Sequence, residues 1–167
     1  GTASQVLTSN TPAGSGTQTI SFGTNLVSTG TGAATFNINV PALPAGATIT
    51  SAQIQLGNVN AVNGSWRSEI RVGLSGFYTL AATQISTLTS AGLISPDPII
   101  NLTSFPTTGG SLNLLLTETF DDFGVNDATF GTANLVINYS IPATTIAWYD
   151  ATSNGNQIGS GTSYESI

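Results

Sequence analysis

Apolar and polar residues alternate along much of this chain in short runs that Gly, Pro, Asn and Ser interrupt. A period of two is the mark of a strand with one face in the core and one in water, because successive side chains leave opposite sides of the pleat. From Thr35 to Val40, the residues Phe36, Ile38 and Val40 fall on one face and Thr35, Asn37 and Asn39 on the other. Ala52, Ile54 and Leu56 alternate in the same way with Gln53 and Gln55, and Ile20 and Phe22 alternate with Thr19 and Ser21. Each stretch is predicted to be a half-buried strand.

Trp66 to Leu74 is predicted as a further strand, with Trp66, Ile70, Val72 and Leu74 inward and Arg67, Glu69 and Arg71 on the outer stripe. Leu112 to Leu116 and Leu135 to Ile137 are continuously apolar, which predicts central strands covered on both sides. Thr79 to Ile94 carries a hint of helical spacing in Ile85, Leu88 and Leu93, enough for a turn or two of helix before Gly92. Pro96 and Pro98 then favour an extended passage at a sheet edge, leading into Ile99 to Thr103. The total is about eight or nine strands before Pro142, with turn signals every 8–12 residues or so. The expected fold is all-β, an antiparallel β-sandwich of jelly-roll or Greek-key type. No internal repeat of fixed period suggests a solenoid.

Composition narrows the function classes. Only 6% of the 167 residues are charged, against about 25% in an average soluble protein. Hydroxyls and amides therefore provide most of the polar surface, which repels copies of itself weakly and suits side-by-side packing or contact with a neutral glycan. The net charge is −6, and Arg67 and Arg71 are the only basic side chains. Nothing can neutralise a row of phosphates, so nucleic acid is not an expected partner. An anionic membrane surface is disfavoured for the same reason, and no apolar run reaches the roughly 18 residues of a membrane-spanning helix. The chain starts at Gly1 without a charged-then-apolar leader, and is read as a mature or recombinant segment from which any export signal has been removed.

Candidate chemistry is confined to few residues. With neither His nor Cys, no Ser–His or Cys–His nucleophile and no imidazole or thiolate metal site can form. The Gly-rich segments at 13–16 and 29–32 lack the Lys of a phosphate-binding loop. Four of the eight carboxylates, Glu118, Asp121, Asp122 and Asp127, lie within ten residues. A glycosidase-type pair would take Glu118 or Glu69 as acid and Asp121, Asp122 or Asp127 as partner, but such pairs need a cleft lined with aromatic platforms. The more physical use of the loop is Ca²⁺, a hard cation that takes several oxygens at once, from Asp121, Asp122, Asn126 and Asp127. Its alternative is a surface turn whose Asp and Asn side chains bond their own backbone, with Glu118 paired to Arg67 or Arg71 on a neighbouring strand. Arg67, Glu69 and Arg71 are likewise either a solvated ion-pair stripe or a ligand-binding one. Phe77, Tyr78, Phe123 and Phe130 are the loop-located aromatics that a sugar site would use, unless they cap the core.

After Pro142 the texture changes to ATTIAWYDATSNGNQIGSGTSYESI. Trp148, Tyr149 and Asp150, a Gly–Asn turn and the Gly-Ser-Gly-Thr-Ser-Tyr segment resemble the opening of the immunoglobulin-like tandem domains in bacterial surface proteins exported by the type IX secretion system. About 25 residues carry the likeness, and most of such a domain would lie beyond Ile167. The body, with its closing pair SLNLLLTETFDDFGVNDATFGTANLVINYS, resembles more faintly the jelly-roll P domains that follow many secreted proteases. Leu112, Leu114 and Leu135 stand where that family commonly has tryptophan. The expected organisation is a β-sandwich at 1–142 and an incomplete immunoglobulin-like segment or extended tail at 143–167. The expected function is that of a non-catalytic structural or adhesive module at a bacterial cell surface or in a secreted protein, a unit of an extracellular array or filament. It would meet copies of itself or neighbouring domains through strand edges. The alternative is a carbohydrate-binding module.

Overall fold

The computed structural model describes residues 13–120 and 126–143, together with the backbone of two short strands at 147–149 and 157–160. Nine strands precede Pro142 among these residues: β1 (Gly14–Ser28), β2 (Ala34–Val40), β3 (Thr48–Ala61), β4 (Ile70–Gly76), β5 (Leu80–Gln84), β6 (Gly92–Leu93), β7 (Ile99–Asn101), β8 (Gly110–Glu118) and β9 (Ala128–Ile141). One sheet runs β1-β9-β3, and β3 pairs in turn with β6 and β7; the other runs β2-β8-β4-β5. All of these pairings are antiparallel. If β6 and β7 are counted as one interrupted strand beside β3, the two sheets read 1-8-3-6 and 2-7-4-5, which is the jelly-roll order.

The alternating runs place the core. On β2, Ile38 and Val40 are buried while Asn37 and Asn39 are exposed; on β3, Ala52, Ile54 and Leu56 are buried between partly exposed Gln53 and Gln55. β8 lies between β2 and β4, and β9 between β1 and β3, so both apolar runs expected to be central are central. They differ in cover. Leu135, Val136 and Ile137 on β9 are all buried. On β8 the enclosed leucines are Leu112, Leu114 and Leu116, and Leu115 is half-exposed on the outer face. One cluster of apolar side chains from both sheets, with Phe22, Leu26, Val59 and Phe130 among them, fills the interior.

Two local expectations change. The strand predicted from Trp66 begins at Ile70, because residues 67–69 form a turn, closed by the Glu69 N–H donating to the Trp66 carbonyl at 2.9 Å. Trp66 sits in the preceding loop, 48% exposed, and the inward set reduces to Ile70, Val72 and Leu74. The stretch from Thr79 to Ile94 contains no helix. Its first part is β5, and Thr- and Ser-rich residues continue as irregular backbone to β6, as their preference for hydrogen-bonding nearby backbone would dictate. The passage at Pro96 and Pro98 runs along the sheet edge but bends at Ser95 and Pro96, which are joined by a cis peptide bond, and only beyond it does the Pro98 carbonyl accept the Leu56 N–H at 3.1 Å and β7 join the edge of β3.

Beyond Pro142, β10 (Ala147–Tyr149) pairs antiparallel with β11 (Gln157–Ser160).

Leu114→Ala empties fully enclosed space and is expected to destabilise the fold by about 2–5 kcal/mol. Leu115→Ala, on the outer face of the same strand, should cost well under half as much. Urea-unfolding midpoints of the two variants check this, and equal losses would contradict the assigned faces.

Candidate functional site

Ser28, Ser65, Glu118 and Asp127 are the buried polar residues among those described, and they meet at one end of the sandwich. Ser28 is the last residue of β1 and is paired with Ala128, the first of β9. The Asp127 N–H donates to the Ser28 carbonyl at 2.9 Å, and the Asp127 carbonyl accepts the Val62 N–H at 2.9 Å. Glu118 ends β8 opposite Ile70 of β4. The tight turn after β3 brings in Ser65, whose hydroxyl donates to Glu118 Oε2 at 3.1 Å. Four separate segments thus converge, each fixed by main-chain hydrogen bonds.

The surroundings act on Glu118 in opposing ways. Burial is the dominant effect, and it raises the carboxyl from an ordinary 4.5 to about 7. The Ser65 and Ser28 hydroxyls pull the other way, and the nearby Asp127 and Glu69 carboxylates add a smaller upward push. Ser28 Oγ is close enough to exert this influence but is not in hydrogen-bonding geometry. Glu118 Oε1 and Ser28 Oγ have no hydrogen-bond partner among the described residues.

This arrangement departs from the expected pairing of Glu118 with Arg67 or Arg71. Arg71 faces Thr117 across the strand pair, on the outer side, whereas Glu118 shares the inward face of Leu112, Leu114 and Leu116. The two groups therefore leave opposite faces of the sheet. Arg71 donates to the Ser68 and Ile70 carbonyls at 2.6 and 3.2 Å. Arg67 donates to the carbonyls of Ser90 and Leu93 at 3.1 and 2.9 Å and also to the Ser90 hydroxyl, tying the β3–β4 loop to the segment ahead of β6. Glu69 accepts the Trp66 N–H at 2.8 Å. The three residues expected on one strand face are thus a strand residue, Arg71, and two loop residues.

Of the expected metal ligands, Asp121 and Asp122 lie outside the described residues. Asn126 is exposed, and its carbonyl accepts the Asn63 side-chain amide at 2.7 Å. Asp127 is fully buried. Among the described residues no three Asp, Glu, His or Cys side chains group together. Of the expected sugar-binding aromatics, Phe123 is outside the described residues and Phe130 is enclosed in the core. Phe77 and Tyr78 are partly buried against Phe105, with ring centroids 5.5 and 5.0 Å away, and the Tyr78 hydroxyl donates to the Thr103 carbonyl. These rings are engaged in packing. The exposed aromatics among the described residues are instead Trp66 and Phe120, on two segments joined by the Thr119 N–H to Glu69 carbonyl bond of 3.2 Å.

Two acids do converge in Glu118 and Asp127, but only 3% and 0% of them is exposed, so the pair does not open onto a cleft that a sugar ring could enter. A groove lies elsewhere, lined by residues 83–88 and 94–101. Its single carboxylate, Asp97, accepts the Asn58 N–H at 3.0 Å. What the buried cluster offers chemically is oxygen: two carboxylates and two hydroxyls, with no nitrogen or sulfur donor. The parity of β8 could have placed Glu118 here, since it lies two residues beyond Leu116. Ser65 carries no comparable signal. No family model, curated protein or solved structure matches the chain.

The raised acidity constant of Glu118 fixes the sign of a pH effect. Between about pH 4.5 and 7 the folded chain binds a proton at Glu118 that the unfolded chain has released, so stability falls as pH rises through this window and levels off above it. In chelator, the wild-type protein is expected to lose on the order of 2 kcal/mol between pH 5 and pH 8. Glu118→Gln should flatten that slope, which denaturant titration at the two pH values will measure.

Proposed function

We propose that this protein is a non-catalytic structural or adhesive module of a bacterial cell-surface or secreted protein, and that it assembles with copies of itself or with neighbouring domains through a strand edge. The observation that carries the reading is β1. It is 15 residues long and, among the described residues, ends its sheet, bonded to β9 on one side, and its sequence GSGTQTISFGTNLVS contains no charged residue and no Pro. Folded proteins ordinarily guard such edges with Lys, Pro or a short strand. Among the described residues the one such feature is a register irregularity between Ser21 and Gly23, which leaves the stretch from Gly14 to Ser21 regular. An unguarded edge of this length suits β-augmentation, in which main-chain hydrogen bonds supply affinity with no need for charge complementarity.

The low-charge exterior supports the same reading, because copies approach without strong repulsion. The likeness of the segment after Pro142 to tandem surface domains supports placement in a multidomain surface protein, and the β10–β11 hairpin is the kind of element that such a domain opens with. Carbohydrate binding remains the second reading, favoured by exposed Trp66 and Phe120 on adjoining loops. A glycan array with wild type and Trp66→Ala tests it.

Light scattering at high protein concentration is expected to show oligomers or filaments. Thr19→Lys combined with Ser21→Lys, on the exposed face of β1, should reduce association at least tenfold without changing the circular dichroism spectrum. A protein that stays monomeric at every concentration, or assembly indifferent to these lysines, would refute the edge-pairing form.

A further inference from the structure

The chain has two basic side chains and no His, and the guanidinium groups of both arginines donate to main-chain carbonyls, as described above. The charged groups that act on Glu118 are both acids, Asp127 and Glu69. Burying a carboxylate beside another carboxylate costs several kcal/mol unless something positive is added, and a proton or a metal ion can provide it. The hydrogen bonding favours the metal ion. Glu118 Oε1 and Ser28 Oγ are both buried with no hydrogen-bond partner among the described residues, and one cation can take lone pairs from both together with Ser65 and Asp127, whereas a proton on Glu118 could join only one pair of oxygens. Glu118 Oε1 and Ser28 Oγ are free lone-pair donors enclosed in the same cluster.

We propose that Glu118, Asp127, Ser65 and Ser28 form a binding site for one hard divalent cation, Ca²⁺, at the end of the sandwich where β1, β8, the β3–β4 loop and the entry to β9 meet. Two carboxylates balance the charge of the ion. An all-oxygen donor set selects a hard cation over zinc or copper, and Ca²⁺, which accepts irregular geometry and six to eight oxygens, tolerates hydroxyl ligands and leaves room for main-chain and water oxygens. This site differs from the set of Asp121, Asp122, Asn126 and Asp127 expected from the sequence, with which it shares only Asp127, and it is independent of any edge-strand assembly.

The test uses the full chain stripped with chelator. Terbium(III), a luminescent stand-in for Ca²⁺, should bind and emit on excitation of Trp66, which directly follows Ser65, and Ca²⁺ should displace it. At roughly a hundred times its Kd, Ca²⁺ should raise the Tm by about 5–10 °C, and chelator should reverse the rise. Glu118→Gln, which keeps size and hydrogen-bonding capacity, should abolish both signals while retaining the wild-type circular dichroism spectrum, and Ser28→Ala should weaken Ca²⁺ about tenfold. Absence of terbium emission together with a Tm indifferent to Ca²⁺ would show that a proton alone neutralises Glu118 and would overturn the proposal. It would equally be overturned if Glu118→Gln kept the full response while Asp121→Asn with Asp122→Asn lost it, since the ion would then belong to the acidic segment that follows β8.

Discussion

The apolar contact between the inner faces of β8 and β9 and their neighbours holds this molecule together. No Cys is available for a disulfide, and the two arginines are spent on main-chain carbonyls, so packing alone must offset the entropy of ordering the chain. Leu112, Leu114 and Leu116 from one sheet and Phe130, Leu135 and Ile137 from the other are essentially inaccessible to solvent. Both strands are central, so each also fixes the register of two neighbours. The jelly-roll order follows from keeping these two strands in the middle of opposed sheets and letting the shorter segments, β5, β6 and β7, close one edge of each.

The same face pattern accounts for the buried polar cluster. Glu118 continues the alternation of Leu112, Leu114 and Leu116, and strand geometry sends its carboxyl into the end of the core in place of solvent. A polar group in that position is tolerable only where other polar groups gather, and Ser28, Ser65 and Asp127 are brought there by three other chain segments. The cluster is therefore a property of the fold's closure. It can exist only when the end of β1, the end of β8 and the start of β9 are all in register.

How much of this could be read from the residues depends on whether the information was local. Period-two runs at 35–40 and 52–56 were legible because one face of each strand meets the core and nothing interrupts the count. The run from Trp66 misled because alternation was carried back from Ile70 through residues 66–69, where a turn closed by the Glu69 N–H to Trp66 carbonyl bond breaks the phase. Leu115 looked buried because apolarity alone cannot separate a strand covered on both faces from one with an aliphatic residue facing outward. The acidic segment was visible as composition. Which of its members turn inward was not, because that depends on β8 ending at Glu118 and on a serine some fifty residues earlier in the chain. Phe77 and Tyr78 were ambiguous for a similar reason: their partner, Phe105, is distant in sequence and only the fold brings it near.

The proposed ion site and the proposed assembly edge both involve β1, yet they use different parts of it. Ser28 closes the strand at the buried end, bonded through its carbonyl to Asp127. The regular stretch from Gly14 to Ser21 is separated from that end by the irregularity before Gly23, and a bulge of this kind lets the two halves of a strand take different twists. An ion held by Ser28 and Glu118 would tighten the C-terminal half and stabilise the fold, and the hydrogen-bonding groups of the N-terminal half would face outward as before. Metal binding would therefore govern how long the module survives, and edge pairing would govern what it joins. The two energies should be nearly additive, as expected for groups with no shared partner. Strong coupling would mean instead that the irregularity at Gly23 transmits strain along the strand.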